Sequence, residues 1–536
     1  MVSLIKNIGV KRVFVLCISF FLLSNKGYPQ IKADDRTKML GMYVHMHWSF
    51  NYPYAARTWS LEDWRGYLNG ISQLGYNTVV IWPVIETMPE PLTYSDKAHL
   101  EKMSAVVKIA QQDLRMRVYF TLTPNVSANN EEAAKYTLEK RPYNYCSVLV
   151  DPTKPGELRK MMEKRARLCA YLKQADGFFL IDGDPGGWPD CKNEDFVEIF
   201  SLHRKMLNNL RPGLELYVWT HQGWETTGKM YSGNGKPTSA SDLRELLSML
   251  SKKDEYEPWG VAGSRYENDI AEIAGLSGVG DKVVTFKYGF IEREPSFPFT
   301  NYNDGVAYKG GQDIGARGIL GNAQQHCVQL PNTFALAQGA RGLKAERDDY
   351  ISFADDLIPG QGAKIVKAWE ALMGEDPAGM YHEAGQLTSL LVQNLEAGPL
   401  RGLLFNDAHR FVEDLILQLR ARASIHEFLL AGEKYSKNSP EFRASLKQLI
   451  LNFESWQRFH GFSGFPRSSR IPGLMEEWMK ALRKLDYAPL TEVLELKNVT
   501  GATPFEIDQN RHMYYEKFTT YLIKALKEVM NDLEAP

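Results

Sequence analysis

Asp176-Gly-Phe-Phe-Leu-Ile-Asp-Gly-Asp-Pro-Gly-Gly-Trp188 is the stretch on which the reading of this chain turns. Residues 178–181 are apolar and run straight into two acids, Asp182 and Asp184. A Pro-Gly-Gly break and a tryptophan follow. A short apolar run bounded by turn residues reads as a strand buried on both faces. In α/β folds ligands bind just beyond the carboxyl ends of the strands. The turn after Ile181 is therefore where chemistry is expected.

Working outward, strand-like runs recur at residues 42–48, 78–82, 117–123, 214–220, 259–262, 282–288 and 318–322. Two of them stop at prolines, Pro83 and Pro124, which cannot continue a strand ladder. Between the first two lies a helical pattern (Leu61, Trp64, Leu68, Ile71, Leu74), with Ser60 as its N-cap and Gly75 as its stop. With the 178–182 run this makes eight strands alternating with helices, which predicts an α/β fold, a (β/α)8 TIM barrel over residues 35–345. The rival is an open doubly wound sheet. No GxGxxG or Walker-type loop follows an early strand, which weakens its nucleotide-binding versions.

Beyond residue 345 the period changes from strand to helix. Leu415, Leu417, Leu419, Leu429 and Leu430 form one apolar pattern, and Leu446, Leu449, Ile450, Phe453 and Trp456 another. Residues 346–536 are expected to be an all-helical C-terminal region. At the other end, Lys6, Lys11 and Arg12 precede an apolar run over residues 13–23. This run is short for a membrane span and fits a secretory signal peptide within residues 1–30. Leu16 before Cys17 is not the small residue of a lipoprotein site. The expectation is an exported protein, secreted or periplasmic, that does not span a membrane.

Net charge is -2, so no electrostatic footprint points to nucleic acid as a partner. Aromatic residues make up 12% of the chain, which suits stacking on sugar rings as well as a large core. Cys146, Cys169, Cys191 and Cys327 are irregularly spaced, show no CxxC pattern, and read as free buried thiols.

The two acids of the opening stretch could act together. If the strand continued through Gly183, Asp182 and Asp184 would share a face about 6–7 Å apart, from a rise of about 3.3 Å per residue. Close carboxylates raise one pKa, which keeps one group an acid near neutrality. Asp184 would then protonate a leaving group while Asp182 orients or stabilises. The plainer alternative has one acid capping the next helix and the other solvated.

The stretch Asp-Gly-Phe-Phe-Leu-Ile-Asp-Gly-Asp at strand four resembles the retaining chitinase and hexosaminidase group of barrel glycosidases. That resemblance implies an acid and an orienting Asp at the end of strand four, with the substrate's acetamido group attacking. The family motif usually ends in Glu, where this chain has Asp184. Arg265-Tyr-Glu-Asn-Asp-Ile270 is similar to a motif of α-galactosidase-like enzymes. That likeness implies a nucleophile at Asp182 or Asp184 and an acid at Asp269, which could otherwise serve a helix N-terminus. Glu292 and Glu294 are further candidates for the second carboxylate, or members of a solvated loop.

Trp48, Trp82, Trp188, Trp219 and Trp224 fall at or beyond strand ends and are expected to line a substrate cleft. His47, His221, Tyr288, Asn322, Gln324, Gln325 and His326 would bind sugar hydroxyls there. The expected partner is an oligosaccharide or polysaccharide, with no cofactor and no metal. The rival is a metal-dependent barrel hydrolase using His45, His47 and His221. It lacks a strand-six histidine, and strand eight offers Asn322 where an Asp belongs. A non-catalytic glycan-binding protein is the second alternative.

Overall fold

The computed structural model describes residues 38–48, 50–183, 185–220, 223–232, 240–263, 274–287, 291, 299–302, 316–461, 474–495, 497, 499–500 and 504–535. Its strands, in chain order, are β1 (Met39–Val44), β2 (Thr78–Ile81), β3 (Arg117–Leu122), β4 (Val126–Ala128), β5 (Ser147–Leu149), β6 (Gly177–Ile181), β7 (Glu215–Thr220), β8 (Trp259–Gly263), β9 (Val283–Lys287) and β10 (Gly318–Ala323). Eight of them close into a parallel barrel in the order β1-β10-β9-β8-β7-β6-β3-β2. The fold is a TIM barrel followed by helices, as the alternation of apolar runs predicts. The remaining two, β4 and β5, pair antiparallel as a small hairpin in the connection after β3, which the apolar pattern alone does not announce.

Register decides which side chains enter the bore, because residues paired across a parallel ladder share a face. Tyr43 pairs with Val80 and Asn322, and Phe179 pairs with Thr121 and Tyr217. Contacts across the barrel fix the sense of the alternation. Tyr43 on β1 meets Trp219 on β7 with ring centroids 4.8 Å apart, and Tyr119 on β3 meets Tyr217 on β7 at 5.6 Å. The bore is thus filled with aromatics. Tyr119, Phe179 and Tyr217 form the lower layer, where Phe179 and Tyr217 stack at 4.5 Å. Tyr43, Trp219 and Phe286 form the layer above it. Gly260 makes room for this packing, since a Cβ there would lie 2.2 Å from the Tyr217 ring.

Ser60 caps the helix Leu61–Gln73, as the sequence predicts, in a reciprocal box with Asp63. Thr93 forms the same box with Asp96 for the helix Tyr94–Lys108. The strands stop near residue 323, but the apolar core does not. One continuous cluster of buried residues runs from Met39 through Ala423, taking in the helices Arg347–Leu357, Gly362–Met373 and the first half of Ala408–Lys434. A second cluster begins within that long helix and includes Phe442, Trp456, Leu482 and Leu526. Polar groups bridge the two parts. Asp414 accepts hydrogen bonds from the Tyr54 hydroxyl (3.1 Å) and Gln418 (2.8 Å), and its carboxylate pairs with the buried His460 at 3.0 Å. Cys146, Cys169, Cys191 and Cys327 are free and buried. Among the described residues no helix is long and apolar enough to cross a membrane.

Candidate active site at the barrel mouth

At the carboxyl end of β6 the backbone amide of Asp182 donates to the Trp219 carbonyl at 2.9 Å, so the ladder with β7 persists one residue beyond Ile181. Asp182 is fully buried. Strand β6 ends at Ile181 and the chain bends at Gly183, so it does not extend through the second acid. The alternation that turns Phe179 and Ile181 into the bore puts Asp182 on the side of Phe178 and Leu180. Asp184 lies outside the described residues.

The turn carrying this acid is held from a neighbouring strand. Asn125, just past β3, donates to the Gly187 carbonyl (2.9 Å) and accepts from the Gly187 amide (3.0 Å). Gly186 and Gly187 have φ of 154° and 109°, and a Cβ on Gly186 would sit 2.7 Å from Pro124. Only glycine lets the turn close this tightly onto the end of β3. On the other side Gly183 abuts Thr227 of the helix Trp224–Tyr231, where a Cβ would lie 3.1 Å from the Thr227 hydroxyl.

The ends of β1 and β2 carry a cluster of rings. His45 stacks on His47 at 5.1 Å, and His47 stacks on Trp48 at 4.1 Å. Trp82 meets His45 edge-on at 4.9 Å, and Tyr143 closes the group against Trp82 (4.9 Å) and His47 (5.0 Å). The His47 amide donates to His45 Nδ1 at 3.2 Å, and His47 Nε2 lies 3.4 Å from Asn144 Nδ2. Trp48, Trp82 and Trp219 are almost wholly buried, so these indoles are walls packed from behind rather than projecting platforms. Trp188 is half-buried and Trp224 fully buried. Asn322 enters the bore beside Tyr43, and Gln324 and Gln325 follow it, buried, at the end of β10.

His326 points elsewhere. Its Nδ1 lies 2.9 Å from the Tyr67 hydroxyl and its ring packs edge-on against Trp59, both outside the barrel wall. Burial pulls its pKa down to about 3 and keeps it neutral. The structure therefore brings together His45, His47, Trp48 and Trp82, with Asp182, Trp219, Asn322 and Gln324 at the other strand ends. It sets His326 into packing. The expected contributions of His221, Asp269, Tyr288, Glu292 and Glu294 also lie outside the described residues. Among the described residues no three His, Cys, Asp or Glu side chains converge as metal ligands.

Sequence reasoning passes over Glu86 and three arginines. Glu86 sits in a short turn after β2, preceded by Val84 at φ 49° and ψ 35°. That is a costly conformation for a β-branched residue, and such strain tends to gather at functional sites. The buried Glu86 carboxylate accepts from the Trp82 indole (3.2 Å) and the Thr123 amide (3.0 Å), which joins the ring cluster to the end of β3. Arg165 reaches in from the outer helix Pro155–Cys169 to the carbonyls of Thr123, Pro124 and Val126 and to His203. Burial lowers the Arg165 pKa, and the Glu86 charge partly restores it. Arg57 binds the carbonyls of His47, Trp48, Leu138 and Arg141. Arg141 forms a buried ion pair with Asp96 at 2.6 Å. Val84 aside, the available signal is weak: Arg141 and Arg165 lie in polar stretches that read as solvent-exposed, and Arg57 is a lone cation in a loop.

No family model and no curated protein matches this chain. Among solved structures it is similar to CpGH84D, with 11% identity and a TM-score of 0.41 over 82% of this chain and 74% of that one. It is similar to an O-GlcNAc hydrolase of Thermobaculum terrenum, with 9% identity and a TM-score of 0.42 over 86% and 96%. It is also similar to a DHDPS of Cyanidioschyzon merolae, with 11% identity and a TM-score of 0.32 over 72% and 98%. The likeness is distant and is one of barrel fold alone.

Proposed function

We propose that the protein is an exported glycoside hydrolase acting on an oligosaccharide or polysaccharide. The observation that carries this reading is a fully buried carboxylate, Asp182, at the end of the fourth barrel strand, in a turn clamped by Asn125 and glycines. The ends of other barrel strands supply imidazole, indole and amide groups, the side chains suited to sugar hydroxyls and ring faces. Asp184 is assigned as general acid. Its proton passes to the glycosidic oxygen, the bond to the anomeric carbon breaks, and water adds hydroxide to that carbon while its remaining proton restores the acid. Asp182 orients the reacting group or stabilises the positive charge that develops. Asp269 or Glu292 would supply a second carboxylate.

The reading is tested by screening the purified protein on aryl glycosides and complex glycans, then repeating the screen with Asp182→Asn and Asp184→Asn. The expected result is glycoside hydrolysis that falls steeply in both variants while the fold is retained. Hydrolysis undiminished in both would end the assignment. Binding of glycans without hydrolysis would make the protein a glycan-binding module. Export rests on the basic and apolar N-terminus, and N-terminal sequencing of the cell-envelope protein checks it by locating the cleavage site.

A further inference from the structure

Outside the barrel, the end of helix Ala408–Lys434, the start of Pro440–His460 and the end of Leu474–Arg483 enclose a cavity of about 520 Å³. That volume falls in the ordinary range for small-molecule sites, about 300–1,000 Å³. Its floor is apolar, formed by Phe428, Phe442 and Leu485, which belong to the second buried cluster. Its rim is cationic. Lys437, Lys480 and Lys484 line it with a single carboxylate, Glu433, so three positive groups against one negative leave a local charge of +2 in a chain whose net charge is -2.

We propose that this cavity is a binding site for a small organic monoanion with an apolar body, a medium-chain carboxylate in chemical class. Lys480 and Lys484 are four residues apart and so lie on one face at the end of their helix. The Lys437 ammonium donates to the Leu485 carbonyl at 3.0 Å, which holds a third positive charge at the opening. Cations at helix C-termini are commonplace because they complement the helix dipole. That explanation accounts for lysines over carbonyls, as at Leu485, but not for an apolar recess beneath them.

A second cavity of about 870 Å³ adjoins the first and shares Glu433 and Tyr435 with it. Glu427, Glu433 and Glu441 line it against the single Lys434. The two neighbouring recesses thus carry opposite charge, and an anion selects the smaller one. This site is independent of the chemistry at the barrel mouth.

The test is calorimetric titration of the full-length protein with sodium octanoate and, separately, with 1-octanol, which has the same chain length without the charge. Octanoate is expected to bind saturably at one site per chain, and octanol at least tenfold more weakly. The double variant Lys480→Gln/Lys484→Gln should weaken octanoate at least tenfold. Ala481→Trp, which fills the recess, should abolish binding with an unchanged melting temperature. If that variant is unstable, the double lysine variant decides alone. No saturable octanoate binding, equal binding of octanol, or wild-type affinity in the double lysine variant would overturn the proposal.

Discussion

The two ends of the barrel hold buried polar groups in different ways. At the amino end, partners come from the barrel strands themselves and the residues just before them. Asp176, just before β6, accepts from the Val118 amide at 2.7 Å, and the Tyr119 hydroxyl donates to Glu215 at the start of β7. Burial raises the pKa of both Tyr119 and Tyr217 and keeps their hydroxyls protonated. At the carboxyl end, the partners come from loops and outer helices far away in sequence, as in the contacts of Arg57, Arg141 and Arg165. The lower end is closed by its own strands and the aromatic layers above them. The upper end is scaffolded from outside, which leaves its inward face to His45, Trp82, Asn322 and Gln324. Stability should therefore concentrate below, and activity above.

Five changes probe that division, from the largest effect to the smallest. Asp184→Asn and Asp182→Asn should each cut turnover by about 10²–10⁴, the usual worth of acid–base assistance, with little change in melting temperature. A loss of folding in place of activity would move Asp182 to the structural side. Phe179→Ala removes the centre of the lower aromatic layer and should cost about 3–5 kcal/mol in chemical denaturation. A cost under about 1 kcal/mol would mean that the bore is not a packed core. Trp82→Phe keeps the ring but removes the donor to Glu86, and should cost about 1–3 kcal/mol for the buried oxygen left unpaired. It should also reduce substrate affinity, whereas Phe179→Ala should not, provided the variant remains folded.

The smallest effect is in acid. Burial holds His99, His203 and His326 neutral, with pKa values pulled down to about 3. Their folded values lie below the unfolded value of about 6.5, so their contribution is complete above that pH and is lost as pH falls toward 3. Each adds a slope of about 1.4 kcal/mol per pH unit in that window. His326→Gln should make the pH dependence of unfolding between pH 6 and 4 shallower by about one proton. An unchanged slope would show that His326 is protonated in the fold.

Much of the barrel is legible in the sequence because its strands are buried on both faces and so read as unbroken apolar runs. Pro83 and Pro124 mark two strand ends within two residues, and Ser60 marks a helix start. The first strand is displaced: residues 42–48 read as strand, whereas β1 is Met39–Val44. His45 to Trp48 extend past the ladder because their aromatic character comes from the ring cluster rather than from a sheet. The hairpin β4–β5 is hidden because three residues per strand are too few for a pattern. Glu86 and the buried arginines are hidden for another reason. Their burial depends on carbonyls and carboxylates brought in by the fold, as with Arg57 and the Arg141 carbonyl 84 residues away. Local composition holds no trace of such partners. For Asp182 the strand end is readable, but the side on which it lies follows from the register of the barrel, which local sequence does not carry.

The core that continues past the last strand has a consequence for how such a protein can change over time. A recombination joint near residue 346 would sever helices that share one apolar interior with the barrel, and would strip Tyr54 of Asp414 and its partner His460. A barrel exchanged at that joint would arrive without part of its own foundation. Inheritance should therefore treat the barrel and the helices through Ala408–Lys434 as one unit, with the tolerated joints lying among the helices beyond it.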